Sequence, residues 1–219
     1  MKILVTGREG QVAQSLAERC GARDNPHELI FAARPELDLA DPASIARAID
    51  AAQPDLVISA AAYTAVDDAE DEPDLAMAIN GEAPGIIGKA AASAGAPVLH
   101  LSTDYVFDGS GERAWREDDP TGPIGVYGKT KLAGEEALSE SGATYAILRT
   151  AWVYSPFGAN FVKTMLRLAE GRDALNVVND QHGNPTSALD IADALLAVAD
   201  RWQAEPGHGA NALYHFGGT

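Results

Sequence analysis

Short apolar runs alternate with helical patterns along most of this chain, and that alternation restricts its fold more than any other feature. Ile3-Leu4-Val5 reads as a buried strand, Gly7 to Gly10 as a turn, and Val12, Ala13, Leu16, Ala17 and Cys20 recur at helical spacing up to Gly21. Further strand-like runs lie at Leu29 to Ala33, Leu56 to Ala60, Val98 to Leu101 and Tyr145 to Tyr154. Between them, Asp41 caps a helix with Pro42 in its first position that runs to Ala52. An alanine-rich helix spans Pro73 to Ala94, interrupted around Gly81 to Gly85, and Val126 to Ser139 repeats at helical spacing. Repeated strand–helix–strand units imply an α/β fold, a doubly wound parallel sheet with helices on both faces. Beyond Phe157 the pattern changes to a helix (Phe161 to Ala169), a short strand (Asn176 to Val178), a helix (Leu189 to Trp202) and a last strand (Leu213 to Phe216).

With 219 residues, 46% of them hydrophobic, the chain can bury one sizeable α/β core. A net charge of −16 argues against nucleic-acid partners and anionic membrane surfaces. It leaves room for an anionic small ligand, because helix N-termini bind phosphates even on an acidic protein. Cys20, on the apolar stripe of the first helix, is the only cysteine, so the chain forms no internal disulfide, and a cytoplasmic location fits. Met1-Lys2 leads directly into a strand, which speaks against a signal peptide, and no apolar run approaches the roughly 20 residues that span a membrane. The five histidines lack metal-ligand spacing, so no metal site is expected.

The turn Thr6-Gly7-Arg8-Glu9-Gly10-Gln11-Val12-Ala13 sits between a strand and a helix, the context in which glycines let a backbone approach a pyrophosphate. The expected dinucleotide contacts are Gly7, Gly10, Gln11 and Val12. The second strand ends Ala32-Ala33-Arg34, with no acid to hold the ribose hydroxyls of NAD. Arg34 in that place accommodates a 2′-phosphate, so NADPH is the expected cofactor, with NADH possible. Asp38, Leu39, Ala61, Ala62 and Tyr63 follow strand ends and are expected to line the same crevice.

Tyr127 and Lys131 are four apart at the start of a helical pattern and therefore share a helix face. An ammonium beside a phenol of solution pKa roughly 10 favours the phenolate and makes the tyrosine an acid usable near neutral pH. Upstream, Ser102-Thr103-Asp104-Tyr105 offers hydroxyls at a strand end. The acidic run Asp67 to Asp74 reads as a solvated face.

Thr103 with Tyr127-x-x-x-Lys131 resembles the Thr/Ser–Tyr–Lys set of short-chain dehydrogenases/reductases. The surrounding words are more specific: Ser102 to Gly109 (STDYVFDG), Tyr127 to Glu135 (YGKTKLAGE), Arg149 to Tyr154 (RTAWVY), Asn160 to Leu166 (NFVKTML) and Asn179 to Thr186 (NDQHGNPT). Together they resemble the dTDP-4-dehydrorhamnose reductase family from Lys2 to Thr219. That resemblance implies NADPH-dependent reduction of the C4 ketone of a dTDP-sugar. Tyr127 would be proton donor, Lys131 would depress the Tyr127 pKa and hold the nicotinamide ribose, and Thr103 would hydrogen-bond the carbonyl oxygen or Tyr127. Val66, Thr103, Asp104 and Trp152 would contact the sugar, although Trp152 reads equally as a core aromatic. Gln181, Pro185 and Thr186 would shape the substrate lobe. The resemblance further implies a Rossmann domain over residues 1–154 and a partial substrate lobe over 155–219, incomplete because family members continue further. The family's metal-linked dimer uses an acid where this chain has Ser15, so the expectation is a monomer or weak homodimer. Two other functions share these features: a sugar-nucleotide epimerase that recycles NAD, and a non-catalytic NADP-binding subunit like the regulatory subunit of methionine adenosyltransferase.

Overall fold

The computed structural model describes residues 1–22, 27–111 and 113–218; Thr219, the end of the expected substrate lobe, lies outside them. The chain runs β1 (Lys2–Thr6), α1 (Gln11–Ala22), β2 (Glu28–Ala32), α2 (Pro42–Ala52), β3 (Leu56–Ser59), the single turns α3 (Asp68–Asp71) and α4 (Pro73–Ala76), a π-helical turn (Met77–Glu82) and α5 (Ala83–Ser93). It continues with β4 (Val98–Thr103), a 3-10 turn (Asp104–Val106), α6 (Val126–Ser139), β5 (Tyr145–Thr150), β6 (Val153–Tyr154), α7 (Phe161–Ala169), β7 (Thr186–Ser187), α8 (Ala188–Ala204) and β8 (Ala212–His215). Six strands form one parallel sheet in the order β2-β1-β3-β4-β5-β8. The winding reverses between β1 and β3, which opens a crevice at the C-terminal ends of those strands.

Strand alternation divides the core into two layers. Ile3, Val5, Leu56, Ile58, Leu99 and Leu148 pack on one face with Leu16 of α1 and Ile191, Leu195 and Trp202 of α8. Leu4, Val57, Val98 and Ile147 pack on the other with Ile45 and Ile49 of α2, Ile87 of α5 and Leu138 of α6. Burying a leucine or isoleucine on such a face contributes about 1.5–3 kcal/mol, so the layers fix which way each strand end points.

The expected strand boundaries hold for β1 to β4 to within about two residues, and the α2 cap forms as expected, Asp41 accepting a hydrogen bond from the Ala43 N–H at 3.0 Å. Four expectations change. The helix from Pro73 is not interrupted at Gly81 but widened into the π turn. Residues 176–178 are not a strand; β6 pairs with Thr186–Ser187 instead. The run from Tyr145 to Tyr154 breaks at Trp152, whose φ of 44° turns β6 away from the main sheet. The chain after residue 154 is not a separate lobe throughout, because α8 joins the core against α1 and β8 is the sixth strand. Cys20 is half-buried, its thiol 3.4 Å from the His27 carbonyl.

Candidate functional site

Two cavities meet at the C-terminal ends of the strands, and Tyr127 and Thr150 line both. The first, of about 1100 Å³, runs along the glycine turn and the β2 and β3 ends. Every expected dinucleotide contact lines it: Gly7, Gly10, Gln11, Val12, Arg34, Asp38, Leu39, Ala61, Ala62, Tyr63, Tyr127 and Lys131. The second, of about 1220 Å³, holds Val66, Asp104 and Trp152, together with Gln181, Gly183 and Asn184.

The turn after β1 is shaped for a close approach. Gly7 has φ +89°, and a Cβ there would lie 3.2 Å from the Ala61 Cβ. The buried Thr6 hydroxyl accepts hydrogen bonds from the Ala60 and Ala61 N–H groups, each at 3.0 Å, which pins the β3 end beside that turn. The first N–H groups of α1 have no partner within the helix and carry its positive dipole end, so they suit a pyrophosphate. The Gln11 side chain is occupied elsewhere: its amide donates to the Val153 carbonyl at 3.2 Å and its oxygen accepts from Ser155 and Asn160. Arg8 donates to the Phe31 carbonyl at 3.3 Å, whereas Arg34 is exposed at the cavity edge.

Beside the second cavity, Thr103 caps the 3-10 turn by accepting from the Tyr105 N–H at 3.2 Å, and its hydroxyl donates to Asp104 at 3.2 Å. Thr103 is itself buried and lines neither cavity; its hydroxyl acts on the Tyr127 phenol. The Tyr105 ring meets the Tyr127 ring edge-on, centroids 5.5 Å apart. Trp152 is 42% exposed and is no core residue. Its left-handed backbone aims the indole across the cavity onto Gly183, where a Cβ would come within 2.7 Å of the ring.

The electrostatics reverse one expectation. The Tyr127 phenol is pushed up to about 12, chiefly by burial, with Asp104 adding to the rise and the Thr103 hydroxyl opposing it. Lys131 is not among the groups that move it; its ammonium is engaged by β4. It donates to the Leu101 carbonyl at 2.7 Å and lies 3.4 Å from His100 Nε2. Burial holds Lys131 itself down at about 8, against a smaller upward pull from Glu135. Burial also raises Asp104, opposed by its hydrogen bond with Thr103.

Sequence reasoning passed over several supporting residues. Glu135, four residues after Lys131, accepts from Arg149 Nε and Nη2 at 2.9 and 2.6 Å and from the Ser102 hydroxyl. Its spacing from Lys131 was the available signal. Asn80, in the π turn, accepts from the Tyr63 N–H at 2.8 Å and donates to the Tyr63 carbonyl at 2.9 Å and the Thr130 hydroxyl at 3.4 Å. The acidic run is not wholly a solvated face: Glu70 accepts from the Val126 N–H that opens α6, at 2.8 Å, and Glu72 from the Tyr63 hydroxyl. Ser15, which stands where the resemblance would place a metal-linking acid, is fully buried. No helix of the described residues is long and apolar enough to cross a membrane.

Comparison with known proteins follows the same lines. The family described as the RmlD substrate binding domain matches residues 1–219. A dTDP-4-dehydrorhamnose reductase of Sinorhizobium fredii is 48% identical over 219 residues, covering 100% of this chain and 73% of that protein. The solved reductase of Clostridium acetobutylicum superposes with a TM-score of 0.90 at 38% identity, over 99% of this chain and 74% of that one. The Bacillus anthracis reductase, solved in complex with NADP, superposes at 0.89 with 33% identity, over 100% of this chain and 75% of that one.

Proposed function

The chain belongs to the RmlD substrate binding domain family, and from that premise we propose that it reduces the C4 ketone of dTDP-4-dehydro-L-rhamnose to dTDP-L-rhamnose at the expense of NADPH. The observation that carries this reading is the position of Tyr127, a single phenol on the wall common to both cavities. A proton donor for a ketone must reach the sugar while standing beside the reductant, and among the described residues no other ionisable side chain lines both cavities.

The first cavity fits a dinucleotide: a positive-φ glycine against Ala61, a helix N-terminus, and Arg34 where a 2′-phosphate needs a cation. Bound NADPH supplies hydride to the carbonyl carbon. Tyr127 gives its phenolic proton to the alkoxide oxygen, so one hydride and one proton complete the alcohol. A phenol held at about 12 stays protonated at neutral pH and is a ready donor. Thr103 steadies the phenolate that remains, and Lys131 offers a cation to the nicotinamide ribose. Trp152, Val66 and Asp104 hold the sugar. Residues 1–154 supply most of the dinucleotide site, joined by Gly158 and Ala159, and Asp180 to Asn184 with His215 to Gly218 form the far wall of the sugar cavity, while α8 and β8 complete the main sheet. Ser15 in place of a metal-linking acid fits a monomer or weak homodimer, and a single free cysteine fits a reducing cytoplasm.

The test is turnover. Wild-type protein mixed with dTDP-4-dehydro-L-rhamnose and NADPH should consume the reduced nicotinamide, and Tyr127→Phe should lower kcat about 10²–10⁴-fold while binding NADPH normally. Wild-type rates in Tyr127→Phe would sink the proton-donor role. Epimerised sugar with no net loss of NADPH would replace reduction by recycling chemistry.

A further inference from the structure

Lys131 is 2% exposed, yet it carries an ammonium that needs acceptors. Among the described residues no carboxylate oxygen lies within ion-pair distance of it. Glu135 is the nearest candidate on its own helix, but both Glu135 oxygens are taken by Arg149 and Ser102. The protein acceptors that Lys131 has are neutral and come from neighbouring residues of β4: the Leu101 carbonyl at 2.7 Å and His100 Nε2 at 3.4 Å. His100 is 1% exposed, and its other ring nitrogen, Nδ1, lies 3.0 Å from the buried Ser59 hydroxyl of β3.

The tautomer follows from the donors. An ammonium has only N–H groups, so Nε2 must present a lone pair to it; Nδ1 then carries the ring proton and donates to Ser59 Oγ. A second positive charge beside Lys131 is excluded, because burial and the ammonium both push the His100 pKa well below its ordinary value.

We propose that His100 is a positioning residue for Lys131: its Nε2 lone pair, oriented by Ser59, fixes the ammonium and helps keep it charged, leaving one N–H for the cofactor side of the site. The proposal rests on the reductase reading for its purpose, but the geometry of the Ser59–His100–Lys131 chain is independent of that reading. The titratable groups around the chain are few. Glu135 and Tyr127 share α6 with Lys131, Arg149 of β5 is bound to Glu135, and Asp104 and Tyr105 follow β4 beside Tyr127. β3 and the π turn contribute the buried, uncharged Ser59 and Asn80, while Glu82 at the end of that turn is exposed. With a carboxylate unavailable, deleting one of two neutral acceptors makes the buried ammonium harder to keep.

The experiment reads Lys131 directly. Protein labelled with 13C and 15N at lysine is titrated by NMR, the Lys131 signal being identified by its loss in Lys131→Arg. His100→Leu removes the acceptor and should move the Lys131 titration down by about one pH unit. His100→Gln keeps an acceptor at that place and should hold it near the wild-type value. Ser59→Ala frees the tautomer and should shift it down by less. In turnover assays the alkaline fall in kcat should move in the same order, with KM for NADPH rising in His100→Leu. A purely structural histidine would lower Tm in His100→Leu and leave the Lys131 titration where it was; that result overturns the proposal, as does a Gln variant that shifts as far as Leu. If His100→Leu does not fold, Gln and Ser59→Ala still decide it. A Lys131 titration that moves as expected in a protein without reductase turnover supports the positioning role and refutes only the proposed function.

Discussion

Arg149 and Glu135 face each other through hydrogen bonds of 2.9 and 2.6 Å in a pocket where each side chain is only 5% exposed. Arg149 is the penultimate residue of β5 and Glu135 lies on α6, so the pair ties the helix that carries Tyr127 and Lys131 to the sheet. The Arg149 guanidinium also covers the Phe107 ring, 5.0 Å from its centroid. Removing one partner leaves an uncompensated buried charge, which costs about 3–5 kcal/mol. That is a large part of the roughly 5–15 kcal/mol that holds a typical domain together. Glu135→Leu and Arg149→Met should each lower the urea midpoint strongly, and the double variant should recover much of the loss. A double variant whose losses simply add would show that the two side chains act apart.

Lys131 sets the expected pH dependence. Its folded value of about 8 lies below the ordinary 10.5, so the folded state binds fewer protons than the unfolded chain between those limits. For a depressed pKa the associated stability is present above the unfolded value and is lost as pH falls through about 8. Wild-type protein should therefore gain unfolding free energy relative to Lys131→Met as pH rises from 8 toward 10.5. Activity runs the other way, because the ammonium is lost over the same range. The kcat/KM for NADPH should fall above about pH 8, and Lys131→Arg, slower but permanently charged, should keep a flat profile there. A wild-type profile flat to pH 10 would separate Lys131 from the chemistry.

The parts of this architecture written in local pattern were readable beforehand. Asp41-Pro42 carries its own cap, and the unbroken apolar run of Ile3 to Val5 states that the strand is buried on both faces. The cavity linings were legible for a related reason: in a parallel sheet the residues after each strand end converge, whatever lies between them. What stayed hidden depends on contacts far apart in the chain. Nothing near Asn80 announces that its side chain will clamp the backbone of Tyr63, and nothing near His100 announces Lys131. The direction of the Tyr127 shift was misread because spacing shows that two residues share a helix face but not where the longer side chain turns. The Lys131 ammonium is engaged by β4 acceptors, and burial governs the phenol. Residues 176–178 have strand-like composition, yet β6 found its partner at Thr186.

Close backbone approach explains another sensitive point. α6 packs against the π turn at Gly134, where a Cβ would overlap the Asn80 carbonyl oxygen and come within 3.0 Å of Pro84. Asn80 in turn holds the loop that lines the dinucleotide cavity. Gly134→Ala should cost about 1–3 kcal/mol despite alanine's better helix propensity, and should weaken NADPH binding as the Tyr63 segment shifts. Gly21 in α1 has open space around its Cβ direction, so Gly21→Ala should be neutral or stabilising by about 0.5–1 kcal/mol. Thermal unfolding of the two variants side by side checks the contrast; equal effects would mean that the α6 contact relaxes freely.

Cofactor choice turns on Arg34. β2 ends at Ala32 with no acid in its last residues, and Arg34 follows at the cavity edge. Arg8 lies in the same cavity but is tied to the Phe31 carbonyl, so of the two arginines described along it Arg34 is the one placed to turn toward a 2′-phosphate. A charged hydrogen bond of that kind contributes about 1.5–3 kcal/mol. Arg34→Ala should therefore reduce the preference for NADPH over NADH by about 10–100-fold, leaving kcat and NADH binding nearly unchanged. The protein's net charge of −16 offers a rival explanation, since deleting any arginine makes the surface more repulsive to every dinucleotide. That repulsion is screened over about 8 Å at physiological salt and acts on both cofactors, whereas a contact with the 2′-phosphate acts on one. Fluorescence titrations of NADPH and NADH at two salt concentrations distinguish them. A ratio that changes with Arg34→Ala at both salts assigns the phosphate to Arg34. Parallel weakening of both cofactors, relieved by salt, assigns the effect to the surface field.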